Sequence, residues 1–132
     1  MPVAALILVR PSLAGNLGAA IRVAANFGVR RIELVDSAVA PTDPEVAAWA
    51  CGGGGRLTIG RHSSLEDAAK PFTTLIASAS GRGRDNQPLV TPPEVVEYVL
   101  RRGAEGTALV FGNETRGLSR DDLDRCDLVV RV

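Results

Sequence analysis

Short apolar runs alternate with polar, helix-like segments along the whole chain. Val3–Val9 is a continuous run of aliphatic side chains, which is typical of a strand buried on both faces of a parallel sheet. Similar but shorter runs predict further strands at Arg31–Val35, Arg56–Ile59, Thr73–Ala77, Thr107–Phe111 and Leu128–Val132. The segments between them carry helix-start and helix-stop signals, so the pattern is one of alternating strands and helices.

The first helix is predicted between the first two strands. Asn16 is expected to cap a helix from about Leu17 to Phe27, with Gly28 ending it. Four more helices follow from caps and capping boxes at Asp43-Pro44, Ser63 or Ser64, Thr91-x-x-Glu94 and Ser119-x-x-Asp122. The glycine run Gly52–Gly55 is interpreted as a flexible connector.

This alternation predicts an α/β fold, a mostly parallel sheet between helix layers, in a single domain spanning residues 1–132. Ligand sites in such folds lie where strands end at their carboxyl edge. Three loops rich in Gly, Arg and small polar residues leave predicted strands, and they are expected to converge: Arg10–Asn16, Ser78–Pro88 and Gly112–Gly117.

Composition narrows the class of protein. The chain carries 15 basic and 15 acidic residues, a balance that argues weakly against nucleic-acid binding, although all but one of the basic residues are arginines suited to phosphate. No run is long enough to cross a membrane, and Cys51, Cys126 and His62 do not make a zinc set. We therefore expect a cytoplasmic protein with reduced thiols, no metal and no membrane partner.

Two stretches of the sequence contain most of the candidate functional residues. Leu8–Gly28 contains the pattern Asn16-x-Gly18-x-x-x-Arg22, and Leu109–Ser119 reads LVFGNETRGLS. In this order and spacing they resemble the first two motifs of the SpoU/TrmH family of the SPOUT RNA 2′-O-ribose methyltransferases, and most closely its bacterial TrmJ branch, which acts on nucleotide 32 of the tRNA anticodon loop. The resemblance covers nearly the whole chain.

The resemblance implies S-adenosylmethionine as cofactor, RNA as substrate, with tRNA as the expected kind, a homodimer as the working unit, and a sheet closed by a trefoil knot. It implies catalytic roles for Asn16, Arg22 and Glu114. It places the cofactor against Ala79, Ser80, Gly81, Gly112, Asn113, Gly117 and Val132, and RNA against Arg10, Arg22, Arg82, Arg84 and Arg116.

An arginine side chain stays protonated at neutral pH, so Arg22 is a poor general base. We interpret it as a clamp on the phosphate beside the target ribose, and Glu114 as orienting the loop or Arg22. The family's third motif, which closes the knot and half the cofactor pocket, is missing after Val132. The domain is therefore expected to be truncated at its C-terminal end, or to lack activity.

Two other functions stay open. One is a non-catalytic nucleotide-binding α/β domain, although neither GxGxxG nor GxxxxGK[ST] occurs in the chain. The other is a catalytically inactive RNA-binding module, which the near-zero net charge and the absent third motif leave possible.

Overall fold

The computed structural model describes residues 3–80 and 89–131. Within them, seven strands form one sheet in which every pairing is parallel, in the order β3-β2-β1-β6-β4-β7-β5. The strands are β1 (Ala5–Val9), β2 (Arg31–Val35), β3 (Thr58–His62), β4 (Thr74–Ala79), β5 (Leu89–Val90), β6 (Thr107–Phe111) and β7 (Leu128–Arg131). The helices are α1 (Ala14–Asn26), α2 (Pro44–Ala50), α3 (Leu65–Ala69), α4 (Pro92–Arg102) and α5 (Arg120–Asp124).

Each face of the sheet has its own core, so the predicted α/β arrangement of a parallel sheet between helix layers is confirmed. On one face, Leu6 of β1 and Ile32 of β2 pack with α1 and α2. On the other face, Ile7 of β1 and Val110 of β6 pack with buried residues of α3 and α5, among them Leu65 and Leu123. Burial on both faces explains why the strands are continuous apolar runs.

Helix α1 lies unusually close to α2 because of a motif glycine. A Cβ atom at Gly18 would stand 2.5 Å from the carbonyl oxygen of Val46 and 2.6 Å from Cβ of Trp49. The helix buries Leu17, Ile21 and Ala24 and ends at Asn26, close to the predicted end, with Gly28 two residues later at φ 78°. Gly18 of the Asn-x-Gly pattern therefore serves helix packing.

Some predicted boundaries were wrong. Asn16 does not cap α1: the helix begins at Ala14, so Asn16 lies within its first turn, and the capping position is Leu13, whose side chain cannot accept a hydrogen bond. The glycine run contains a 3₁₀ helix over Gly53–Arg56 instead of a plain connector, and a second, unpredicted one covers Ala104–Gly106. Strand β3 begins two residues later than expected, and the two-residue β5 was not predicted.

The order of the strands places a crevice at the carboxyl edge of the sheet. Strand β1 is followed by α1 and β2 on one side, whereas its other neighbour, β6, leads by way of α5 to β7 on the far side of β4. The chain thus leaves β1 and β6 in opposite directions, which opens a crevice where α/β proteins bind ligands. The loops after β1 and β6 meet there, as predicted, next to the end of β4.

Candidate functional site at the carboxyl edge of the sheet

The loop after β6 is a compact turn built by one asparagine. The Asn113 side-chain oxygen accepts hydrogen bonds from the backbone N–H groups of Thr115 (2.9 Å) and Arg116 (3.0 Å). The backbone N–H of Gly117 donates to the carbonyl of Asn113 at 2.9 Å, and Gly117 has φ 68°, which suits glycine. The turn brings Gly117 directly onto Gly112, so both glycines of the FGNETRG sequence are explained by backbone geometry.

Glu114 holds this loop against the start of α1. Its carboxylate accepts hydrogen bonds from the backbone N–H groups of Ser12 (3.0 and 3.1 Å) and Leu13 (2.9 Å), and from the Ser12 hydroxyl (3.0 Å). Since α1 lacks a side-chain cap of its own, a carboxylate from a loop about a hundred residues later performs that task. Partial burial acts to raise the pKa of Glu114, but the backbone hydrogen bonds outweigh it and the pKa is lowered.

A second cross-link joins the end of β1 to α5. The guanidinium of Arg10 donates to the carboxylate of Asp122, which also accepts from the backbone N–H of Ser119 at 2.9 Å as part of the predicted capping box. The Asn113 amide donates to the carbonyl of Arg10 at 2.8 Å. Burial acts to raise the pKa of Asp122, and the bonds from Ser119 and Arg10 lower it more strongly. Both loops are thus fixed to each other at several points.

The predicted cofactor-binding residues that the structure describes all line one cavity of about 670 Å³. They are Ala79 and Ser80 at the end of β4, and Gly112, Asn113 and Gly117 after β6. The volume lies in the range of small-molecule sites. Gly81 and Val132, also predicted to touch the cofactor, lie outside the described residues.

A second cavity of about 330 Å³ lies on the α1 side of β1 and β6. Asn16 and Glu114 of the predicted catalytic set line it, together with Gly112 of the cofactor set. Its other walls are mostly apolar and include Val23 and Phe111. The structure therefore gathers Asn16, Glu114 and Gly112 at one place.

Arg22 is not part of that group. It is exposed, and its Cα lies beside the 3₁₀ helix, 3.4 Å from where a Cβ at Gly53 would stand. Being six residues after Asn16, it is rotated by about 240° around the helix axis. Arg22 lines neither of the two cavities described above.

The arginines predicted to bind RNA have different surroundings. Arg10 is engaged with Asp122, whereas Arg116 is exposed and lines the 670 Å³ cavity. Arg82 and Arg84 lie outside the described residues. Their roles in RNA binding stay predictions.

Sequence reasoning missed the residues that connect the loops. Ser12 and the Arg10–Asp122 pair join segments more than a hundred positions apart, and no local pattern marks them.

Burial raises the pKa of the Cys126 thiol to about 12, so this thiol is unsuited to nucleophilic chemistry at neutral pH. Among residues 3–80 and 89–131, no three metal-ligating side chains cluster and no helix could span a membrane.

Together these features define an α/β domain with a preorganised candidate ligand site at the switch point of a parallel sheet. Small residues and backbone groups form the larger cavity, which suits a ligand held closely by the main chain. The chain belongs to the SpoU rRNA Methylase family, whose model matches residues 4–132.

The chain is also similar in sequence to individual tRNA methyltransferases. The chain is 32% identical over 130 residues to the tRNA (cytidine/uridine/adenosine-2′-O-)-methyltransferase TrmJ of Pseudomonas aeruginosa, covering 96% of this chain and 50% of that protein. It is 29% identical over 135 residues to the tRNA (cytidine-2′-O-)-methyltransferase TrmJ of Methanocaldococcus jannaschii, covering 96% and 56%. The chain thus spans about half the length of the curated relatives it matches.

Solved structures show the same fold. The crystal structure of TrmJ from Z. mobilis ZM4 superposes with a TM-score of 0.89 at 25% identity, covering 100% of this chain and 58% of that one. The SpoU methyltransferase AviRb from Streptomyces viridochromogenes, solved in complex with AdoMet, superposes with a TM-score of 0.76 at 22% identity, covering 98% and 50%. This second likeness is one of fold.

Proposed function

We propose that this domain transfers the methyl group of S-adenosylmethionine to a ribose 2′-hydroxyl of tRNA in the cytoplasm, at nucleotide 32 of the anticodon loop. The observation that carries the proposal is the convergence of Ala79, Ser80, Gly112, Asn113 and Gly117 on one cavity. Family membership supports the same reaction class. The printed activities of the TrmJ relatives support tRNA as the substrate.

The residues present fit such a cofactor. Ser78, Ala79 and Ser80 offer backbone groups and little side-chain bulk, and the cavity is large enough for a nucleoside carrying an amino-acid chain. Bound there, S-adenosylmethionine supplies an activated methyl group. The chain's own contribution is then to hold the two reactants in line, and alignment alone can lower a barrier by roughly 7–11 kcal/mol at best.

Each predicted catalytic residue has a proposed role in that alignment. Glu114 is ionised and fully engaged with the start of α1, so it acts by positioning Asn16 and Gly112 relative to each other. Asn16, exposed in the first turn of α1, is proposed to orient the target ribose. Arg22 is proposed to bind the phosphate next to that ribose and stabilise the alkoxide that forms as the hydroxyl loses its proton. The family's knot-closing segment is proposed to complete the cofactor pocket.

Incubating the complete polypeptide with S-adenosylmethionine carrying a labelled methyl group and unmodified tRNA should label one ribose. Mass spectrometry of nuclease-digested tRNA locates the label, and nucleotide 32 is the expected position. The matched control is the same tRNA with a 2′-deoxyribose at nucleotide 32, which should stay unlabelled. Label on a base, or equal label on the deoxy substrate, would contradict ribose transfer. Binding of tRNA without transfer would favour the inactive RNA-binding alternative.

The homodimer is supported by a stripe of exposed apolar side chains along α1 and its surroundings. Leu13, Val23 and Phe27 are 52%, 52% and 75% exposed, and Phe111 beside them is 36% exposed. Single exposed apolar residues are ordinary, but several on and beside one helix favour an interaction surface. We call it the α1 apolar stripe and propose that a second copy covers it.

Val23→Asp in the complete polypeptide should convert the dimer to a monomer, because a charge would be buried in the proposed interface. Multi-angle light scattering measures the mass directly. Val96→Asp is the control, since Val96 is 59% exposed on α4, outside the stripe. A dimer that survives Val23→Asp, or a wild-type protein that is monomeric, would show that the stripe has another role.

A further inference from the structure

A third cavity of about 590 Å³ lies beside the two already described, on the β2 side of the site. Its walls come from three loops, those after β1, β2 and β6, and include Arg10, Asp36, Thr115 and Arg116. We call it the Asp36–Arg116 cleft. It shares Asn113, Thr115 and Arg116 with the 670 Å³ cavity, so one short turn separates the two spaces.

The walls of the cleft are held in place by backbone hydrogen bonds. The N–H of Ala38 donates to the carbonyl of Pro11 at 3.1 Å, and the N–H of Arg10 donates to the carbonyl of Val35 at 2.7 Å. On the opposite side, the Asn113 amide donates to the carbonyl of Arg10. The loop after β1 thus anchors both walls, so the cleft needs little rearrangement to receive a ligand.

Most polar groups in the walls already have partners within the protein. The Ser12 hydroxyl donates to Glu114, the Ser37 hydroxyl donates to the carbonyl of Val39, and Arg10 binds Asp122. The charged groups left over are the carboxylate of Asp36 and the guanidinium of Arg116, for which no ion pair or side-chain hydrogen bond is formed with the described residues. One cation and one anion are therefore available to a ligand at opposite walls.

We propose that the Asp36–Arg116 cleft binds the nucleotide next to the methylated one. Arg116 pairs with its phosphate, and Asp36 accepts a hydrogen bond from a donor on the same nucleotide, either a ribose hydroxyl or an exocyclic amino group of the base. The opposite charges fit a nucleotide, which is an anion carrying hydrogen-bond donors, better than they fit a bare phosphate. This inference rests on the proposed function, because it assumes that the neighbouring site handles RNA.

Backbone geometry decides which substitution of Asp36 is informative. The residue adopts φ 47°, and its N–H donates to the carbonyl of His62 at 2.9 Å. A non-glycine residue in this conformation is uncommon, although Asp and Asn tolerate it better than others. Asp36→Asn is therefore the substitution of choice, since it removes the charge while keeping the backbone conformation accessible.

The binding experiment uses the complete polypeptide and a fluorescent anticodon stem-loop RNA, with affinity measured by anisotropy at several salt concentrations. Arg116→Gln should weaken binding by about tenfold, and its log–log salt slope should fall by roughly 0.7–0.9, the loss of one phosphate contact. Arg120→Gln, an exposed arginine of α5 outside the cleft, is the matched control and should change neither value to that extent. Equal effects of the two substitutions would overturn the proposal.

Asp36→Asn gives a test of opposite sign. If Asp36 only repels RNA, removing its charge strengthens binding, and the proposal is wrong. If it accepts a charge-assisted hydrogen bond, binding weakens several-fold despite the gain in net positive charge, because the uncharged Asn oxygen is a weaker acceptor. Two modified RNAs identify the donor. A 2′-deoxyribose at a flanking nucleotide should erase the difference between wild type and Asp36→Asn if the donor is the hydroxyl, and a flanking uridine, which lacks the amino group, should erase it if the donor is the base.

Methyl transfer to the same RNA separates this inference from the proposed function. In Arg116→Gln the KM for RNA should rise about tenfold, with kcat and the KM for S-adenosylmethionine little changed. A raised KM for S-adenosylmethionine would assign Arg116 to the 670 Å³ cavity and overturn the cleft proposal. If the wild-type protein transfers no methyl group to RNA, the proposed function fails, while the salt-slope comparison still decides whether Arg116 contacts phosphate.

Discussion

Gly112→Ala should destabilise the domain by roughly 3 kcal/mol and abolish the proposed binding of S-adenosylmethionine. A Cβ atom at this position would stand 2.2 Å from the carbonyl carbon of Gly117 and 2.4 Å from the backbone nitrogen of Leu118. Both atoms belong to the main chain, so no side chain can rotate out of the way. The whole turn after β6 would have to move, and with it the contacts of Glu114 and Asn113 to the loop after β1.

Thermal unfolding should show the change as a midpoint about 10 °C lower, and calorimetric titration of the complete polypeptide should show the loss of cofactor binding. Gly54→Ala is the matched control, because a Cβ there meets no atom within 4 Å and its φ is not in the positive region. It should leave both the midpoint and the cofactor affinity close to wild type. If Gly112→Ala still binds the cofactor with wild-type affinity, the turn after β6 does not form the cofactor site.

Local sequence patterns were enough to predict most of the fold. Asp43 and Ser64 cap α2 and α3 through their own side chains, and the boxes at Thr91 and Ser119 close as expected. These signals depend on residues two or three positions apart, which is why they can be recognised without a structure. The prediction that the loops after β1 and β6 meet followed from parallel pairing alone.

The wrong predictions arise from contacts between residues that are distant in the chain. Asn16 satisfies the local preference for a helix cap, yet Glu114 takes that role from a distant loop, and no local pattern could reveal the competition. Strand β3 shows the same limit: a Cβ at Gly60 would stand 1.9 Å from Oε2 of Glu33, a buried carboxylate that also lies 2.9 Å from the ring of His62. Gly60, which lies just beyond the predicted strand Arg56–Ile59, belongs to β3 and is required by its neighbour on β2.

The candidate site was likewise predictable only where local sequence signals exist. Its residue types and its place at the edge of the sheet could be predicted, including the gathering of Ala79, Ser80 and Gly112. The ties between the loops could not, since the pairs Ser12–Glu114 and Arg10–Asp122 form only after the strands have paired. The same holds for the Asp36–Arg116 cleft, because Asp36 and Arg116 lie 80 positions apart in the chain. Long-range side-chain contacts of this kind are a consequence of the fold and have no local signature.

Arg22→Ala in the complete polypeptide should lower the kcat of methyl transfer by at least about a hundredfold and leave the affinity for S-adenosylmethionine almost unchanged. Removing one preorganised donor that stabilises a developing oxyanion costs about that much in other enzymes. The cofactor affinity should persist because Arg22 is exposed beside Gly53 and lines neither the 670 Å³ nor the 330 Å³ cavity. Arg22→Lys should rescue poorly, since an ammonium lacks the planar fork that binds phosphate at two points.

The position of Arg22 makes the comparison of kcat with KM informative. An arginine that merely attracts RNA to the outer surface of α1 would raise the KM for tRNA and leave kcat at saturating tRNA near wild type, and that result would refute the catalytic role. Arg30→Ala is the matched control: Arg30 is also exposed, just after the end of the same helix, and lines none of the three cavities described above. Because Arg22 lines none of the three cavities described above, mixing Arg22→Ala with Gly112→Ala protein adds one more measurement. Recovery of activity in the mixture would mean that Arg22 serves the site of the second copy across the dimer, whereas no recovery would place its action within its own chain.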